Sequence, residues 1–240
     1  MKKLLIIGAS GFGREVFIWA RDNPDCGRIW EIAGFLDTRT GLLDNMVRDA
    51  NALPNAAAFS PEVRAFFNRD FNIVGDPMTY IPQPDDVFLC AVGEPRARRK
   101  YASPILEKGG QFITLIHPKA QVSVFVSVGQ GSIVGPLASI SPDVRIGDFV
   151  TINSYTAIAH DAQIGDWSAI DGHCLVAGRA RIGEASQIHG GAIITPDARV
   201  GDRAVVGAGS VLFGRVPNDV TVLGNPARKF DWRSPNEREE

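Results

Sequence analysis

The sequence predicts an α/β Rossmann-like unit followed by an all-β parallel β-helix, and two patterns carry that prediction. Near the N-terminus an apolar run passes through a glycine-rich turn into an amphipathic stretch. From residue 117 onward an apolar residue recurs at every sixth position. A chain of 240 residues has room for one or two domains.

Residues 3–8 are apolar enough for a buried strand, which runs into Gly8-Ala9-Ser10-Gly11-Phe12-Gly13. Arg14 through Arg21 is helical in pattern, with Val16, Phe17 and Ala20 on one face. Further strands are expected over Ile32 to Leu36, ending at Asp37, and over Val87 to Val92. Ser60 is placed to cap a short helix beginning Pro61-Glu62, and Pro95 to open a longer one reaching Leu106, before Gly109-Gly110. Strand, glycine turn, helix and a strand with a terminal acid make a small Rossmann-like unit. The backbone N–H groups of such a turn suit a phosphate, although the same spacing also serves a tight turn with no ligand.

The second half divides into sixteen uninterrupted blocks of six. Their sixth residues run Val122, Val128, Val134, Ile140 and so on to Leu212, all apolar. At 45% apolar residues, chance would produce this run in one frame about three times in a million. Fourth residues such as Ala138, Thr156, Cys174 and Ala192 are small or β-branched, and two residues apart on a strand they face the same way as the sixth. Gly129, Gly135, Gly147, Gly165, Gly183, Gly201 and Gly207 open blocks, which suggests a turn made by the first residue.

Net charge is -2, so nothing in the composition calls for nucleic acid or an anionic membrane as partner. Three scattered cysteines, Cys26, Cys90 and Cys174, suit buried thiols in a reducing, cytoplasmic setting. The initial run Leu4-Leu5-Ile6-Ile7 is too short for a signal sequence, and no stretch has the ~20 apolar residues of a membrane span.

The pairing of these two halves resembles the sialic-acid O-acetyltransferase-like family of sugar acetyltransferases, which includes the nucleotide-4-amino-sugar N-acetyltransferases of bacillosamine and perosamine biosynthesis. The resemblance rests on the turn from Gly8 to Val16, Gly34-Phe35-Leu36-Asp37, Gly93 with Arg98, and Ile116-His117-Pro118. It continues through Asn153, His160-Asp161 and Gly224-Asn225-Pro226-Ala227. It implies left-handed coils of three blocks each, with a nucleotide-sugar domain at 1–112, a catalytic β-helix at 113–216 and a tail at 217–240. It also implies a homotrimer that binds acetyl-CoA between subunits and takes a nucleotide-linked amino sugar as partner. His160 would be the general base, Asp161 its orienting acid and Asn153 a third active-site residue. The nucleotide sugar would lie on Gly8, Ser10, Gly11, Phe12, Gly13, Asp37, Gly93 and Arg98, and acetyl-CoA on Gly178, Gly190, Pro226, Arg228 and Lys229. Many relatives carry His where this chain has Phe12.

The repeat also places the four histidines. His117 reads as structural, His173 as an exposed third-position residue on a flat face, and His189 as unusual in a position that is normally small. His160 stands at a corner, and one coil later comes Gly178, leaving room for a thioester and a free N–H for an oxyanion. No two histidines stack one coil apart and no His-x-x-x-x-His occurs, so no metal site is expected. The same residues would serve an O-acetyltransferase, and a non-catalytic nucleotide-sugar scaffold is the remaining alternative.

Overall fold

A computed structural model describes residues 1–40, 42–43 and 72–230; the short helix expected after Ser60 lies outside them. Five parallel strands, β1 (Lys2–Ile7), β2 (Trp30–Leu36), β3 (Ile73–Gly75), β4 (Asp86–Cys90) and β5 (Gln111–Phe112), make one sheet in the order β3-β2-β1-β4-β5. Leu4, Leu5, Ile6 and Ile7 are all buried, as a strand covered on both faces requires. Helix α1 (Gly11–Arg21) buries Val16, Phe17, Trp19 and Ala20. Helix α2 (Pro95–Glu107) starts at a proline, and the Glu94 side chain accepts from the Arg96 and Ala97 N–H groups.

From Leu115 the chain winds into three parallel sheets of two-residue strands. Ile152 pairs with Val134 on one side and Ile170 on the other, so each coil takes three blocks. Face 1 contains Ile133–Val134, Thr151–Ile152, Ala169–Ile170 and Gln187–Ile188; face 2 contains Ser139–Ile140, Ala157–Ile158, Leu175–Val176, Ile193–Ile194 and Val211–Leu212. Face 3 contains Arg145–Ile146, Gln163–Ile164, Arg181–Ile182, Arg199–Val200 and Arg215–Val216. Sixth and fourth residues of the blocks fill the interior, from Val134 through Ala138 and Ile140 to Leu212. Thr221–Leu223 pairs with Val205–Val206 and then with Arg228–Lys229, so part of the stretch expected as a tail continues face 1.

The turn chemistry differs from the sequence expectation. The left-handed residue is the third of each block, and most are not glycine: Phe125, Leu137, Asp143, Phe149, Tyr155, Asp161, Trp167 and His173 all have φ between 59° and 62°, or close to it at 54° and 64°. The first-position glycines answer a different need. A Cβ on Gly129 or Gly147 would run into Asp148 or Asp166 of the next coil, so these glycines allow the coils to stack closely.

The two halves form a continuous packed body. Trp19 lies over Gly135, where a side chain would meet the indole. Asn23 donates to the Ile116 carbonyl at 3.1 Å. Phe149, at the outward third position of its block, is only 5% exposed: Phe112 meets its edge and Trp167 stacks on it at 4.1 Å.

Candidate active site

His160 occupies the edge between faces 2 and 3, one residue before a left-handed turn at Asp161 (φ 62°). That backbone tolerates Asp well, and it brings a carboxylate oxygen 2.7 Å from His160 Nδ1. A carboxylate only accepts, so Nδ1 carries the proton and Nε2 keeps its lone pair. The pair is about half exposed, open to a substrate on one side.

Gly178 lies one coil on and is buried beneath this ring. A Cβ there would sit 2.8 Å from Nε2 and 2.9 Å from Cε1. The space expected for a thioester is therefore taken by the imidazole itself, and glycine is what lets the ring lie against the coil. Among the described residues the Gly178 N–H has no hydrogen-bond partner, which leaves a free donor in the coil under the ring.

Next to the dyad a groove of about 540 Å³ is lined by Arg145, Arg179, Arg181 and Arg199 together with Asp143, Asp161 and Asp197. Arg179 pairs with Asp197 at 2.8 Å. Arg145, Arg181 and Arg199 form no ion pair among the described residues. This column was not singled out from the sequence, although Arg145, Gln163, Arg181 and Arg199 follow one another at eighteen-residue steps.

The other residues divide between a cleft and the packing around it. A cleft of about 320 Å³ at the glycine-rich turn is lined by Gly8, Ser10, Asp37, Thr38, Arg39 and Tyr101, among others. Ser10 precedes α1 without spending its hydroxyl on a cap. Asp37 accepts from the Ala9 N–H at 2.9 Å and pairs with Arg39 at 3.0 Å. Burial pushes its carboxyl up, but the hydrogen bonds from Arg39 and Ala9 outweigh that and hold it below the usual range. Thr38, Arg39 and Tyr101 were not foreseen; Arg39 follows the strand-ending acid by two residues, which was the available signal.

Gly11 is open to solvent, whereas a Cβ on Gly13 would overlap the Gly8 carbonyl, so Gly13 serves helix–strand contact instead of a ligand. Phe12 turns away from the cleft and meets Trp19 edge-on at 5.9 Å. Gly93 is not part of the cleft lining either. Arg98, expected at the ligand, is fully buried. Its guanidinium donates to the carbonyls of Val92, Gly93, Trp167 and Ser168 and to Thr151 Oγ1, tying α2 to the β-helix. Burial draws its pKa down to about 10.

Asn153 lies on the edge between faces 1 and 2, away from His160 in the same chain, with its side-chain oxygen buried and unpartnered. Gly190 lies on that same edge, near Gly172. Pro226, Arg228 and Lys229 are exposed at the far end of face 1. His117 is buried and accepts from the Lys119 N–H at 3.0 Å, with burial lowering its pKa. His173 is at a corner, not on a flat face, and stacks on Tyr155 at 4.9 Å. Among the described residues no group of three His, Cys, Asp or Glu is arranged to hold a metal, and no helix is long and apolar enough to cross a membrane.

No curated protein matches the chain. The GMPPB C-terminal domain family matches residues 114–218, within the β-helix. The acetyltransferase domain of PglB from Neisseria gonorrhoeae is similar over 96% of this chain and 100% of its own, at 29% identity and a TM-score of 0.79. PerB from Caulobacter crescentus, solved with CoA and GDP-perosamine, is similar over 96% and 98%, at 25% identity and a TM-score of 0.78. These two neighbours are sugar acetyltransferases of the kind the sequence resembles. WeeI from Acinetobacter baumannii is similar over 96% and 100%, at 26% identity and a TM-score of 0.75. PglB and PerB share the whole arrangement of sheet unit and left-handed β-helix with this chain.

Proposed function

We propose that the protein is an acetyl-CoA-dependent N-acetyltransferase acting on the 4-amino group of a nucleotide-linked 4-amino-4,6-dideoxy sugar. The observation that carries this reading is the His160–Asp161 dyad, 2.7 Å apart, with Nε2 directed over Gly178. Two similar proteins lend support: a PglB acetyltransferase domain was solved with acetyl coenzyme A, and PerB with CoA and GDP-perosamine.

Nε2 of His160 takes a proton from the amine as it adds to the thioester carbonyl, and Asp161 steadies the imidazolium that forms. The Gly178 N–H is the donor for the developing oxyanion. Transfer is direct. Cys90 and Cys174 are buried, and burial pushes their thiols up to about 12 and about 11, so neither offers a thiolate for an acyl-enzyme. Arg145, Arg181 and Arg199 supply positive charge for the phosphates of CoA, and the cleft at Ser10, Asp37 and Arg39 receives the nucleotide.

The active form is a homotrimer. Face 2 and its two edges expose Leu137, Tyr155, Leu175, Ile193 and Phe125, which together form an apolar surface suited to burial between copies. Light scattering showing a stable, fully active monomer would overturn this assembly. The assay for function follows CoA release from acetyl-CoA with UDP-, GDP- and dTDP-linked amino sugars. Turnover with an amino sugar is expected. Turnover only with a hydroxyl acceptor such as a sialic acid would move the reading to an O-acetyltransferase, and none with either would remove it.

A further inference from the structure

A second histidine–carboxylate pair lies outside the dyad just described. His189 Nδ1 is 2.9 Å from Asp171 Oδ2, one coil apart on the edge between faces 1 and 2. Both side chains are about two-fifths exposed. The carboxylate again fixes the proton on Nδ1 and leaves Nε2 as the group that meets a ligand. Its column otherwise holds His117, Gly135, Asn153 and Gly207, and Asn153 turns an unpartnered buried oxygen into the same edge.

We propose that the Asp171–His189 pair of one subunit protonates the departing CoA thiolate in the site built on the neighbouring subunit's His160. The proposal rests on the trimeric acetyltransferase reading. In a single chain the two dyads stand on opposite borders of face 2 and cannot reach one thioester. In a closed ring with face 2 toward the axis, the edge between faces 1 and 2 of each copy meets the edge between faces 2 and 3 of the next. The apolar Leu175 and Ile193 would cover the axis. Both edges carry charge of each sign that such a contact can pair: Lys119, Asp171 and His189 on one, Asp143, Asp161, Arg179 and Asp197 on the other.

His189 is 29 residues beyond His160, and at ~4.8 Å per eighteen-residue coil it stands about 8 Å further on, on the Gly178 side. With all copies parallel, the thioester sulfur of the proposed site lies on this Gly178 side of His160. When the C–S bond breaks, its electron pair goes to sulfur and the His189 Nε2 proton follows, giving the free thiol. The amine proton leaves through His160, and solvent reprotonates His189.

The hydrogen bond to Asp171 holds His189 above the ordinary histidine value, against a smaller lowering by burial, which favours its donor form. The other groups facing it are Cys174, which donates to the His189 carbonyl and stays uncharged, and Arg98 behind Asp171.

The test combines single variants with mixed trimers. His189→Gln should lower kcat by ~10–100-fold, leave KM for acetyl-CoA within about threefold, and abolish the fall of kcat as pH rises through the His189 pKa. Asp171→Asn should move that fall to lower pH. Trimers co-assembled from His160→Ala and His189→Gln chains carry both groups intact at about one interface in four, and should recover about a quarter of wild-type activity, well above either parent alone. Wild-type kcat in His189→Gln, or no recovery in folded mixed trimers, would overturn the proposal. Inactive wild-type protein would instead overturn the underlying enzyme reading.

Discussion

His160 and Gly178 form one unit, because the glycine lets the imidazole lie flat against the coil. His160→Ala should lose roughly 10²–10⁴-fold in turnover, the usual worth of a general base, with CoA affinity nearly unchanged. His173→Ala, which only removes a ring stacked on Tyr155, should stay within a few-fold of wild type, so steady-state kinetics on the two variants separates the roles. Gly178→Ala is the sharper probe. Its methyl would sit 2.8 Å from Nε2, and an exposed ring gives way more easily than backbone. Turnover should therefore fall at least ~10-fold while the melting temperature barely moves. A normal rate in Gly178→Ala would show that the ring's place over the coil is unimportant.

Among the elements, the glycine-rich turn divides into two roles that spacing alone does not distinguish. Gly13→Ala drives a methyl into the backbone carbonyl of Gly8, which cannot rotate away, so a loss of ~1–3 kcal/mol in denaturant unfolding is expected. Gly11 faces open space, and Gly11→Val should leave stability alone but raise KM for the nucleotide sugar and spare that for acetyl-CoA. Equal destabilisation by both would refute the division. The β-helix shows the same limit. Sixfold periodicity made its interior legible because one buried face demands an apolar side chain in every block. The third-position turns were not legible, since φ near 60° at Phe125, Leu137 or Tyr155 leaves no trace in residue type.

For the whole molecule, Arg98 fastens the two halves together. Arg98→Met should remove at least ~3 kcal/mol, because four carbonyls and the Thr151 hydroxyl lose their donor where water does not reach, and Arg98→Lys cannot span the same set. Differential scanning calorimetry on the two variants would measure this; a melting temperature within a degree or two of wild type would show that the clamp is dispensable.

The sequence by itself determined the β-helix and its register, the strand–turn–helix start of the α/β unit, and the adjacency of His160 to Asp161, because each follows from neighbours a fixed number of residues apart. Only the tertiary structure decided that Arg98 joins domains instead of touching ligand, that Phe149 packs under Phe112, and that His189 finds Asp171. Those outcomes depend on which surfaces a long-range fold brings together and which it leaves to water. A buried arginine and a ligand-binding one have the same local sequence, and the difference lies in the carbonyls that only packing places around it.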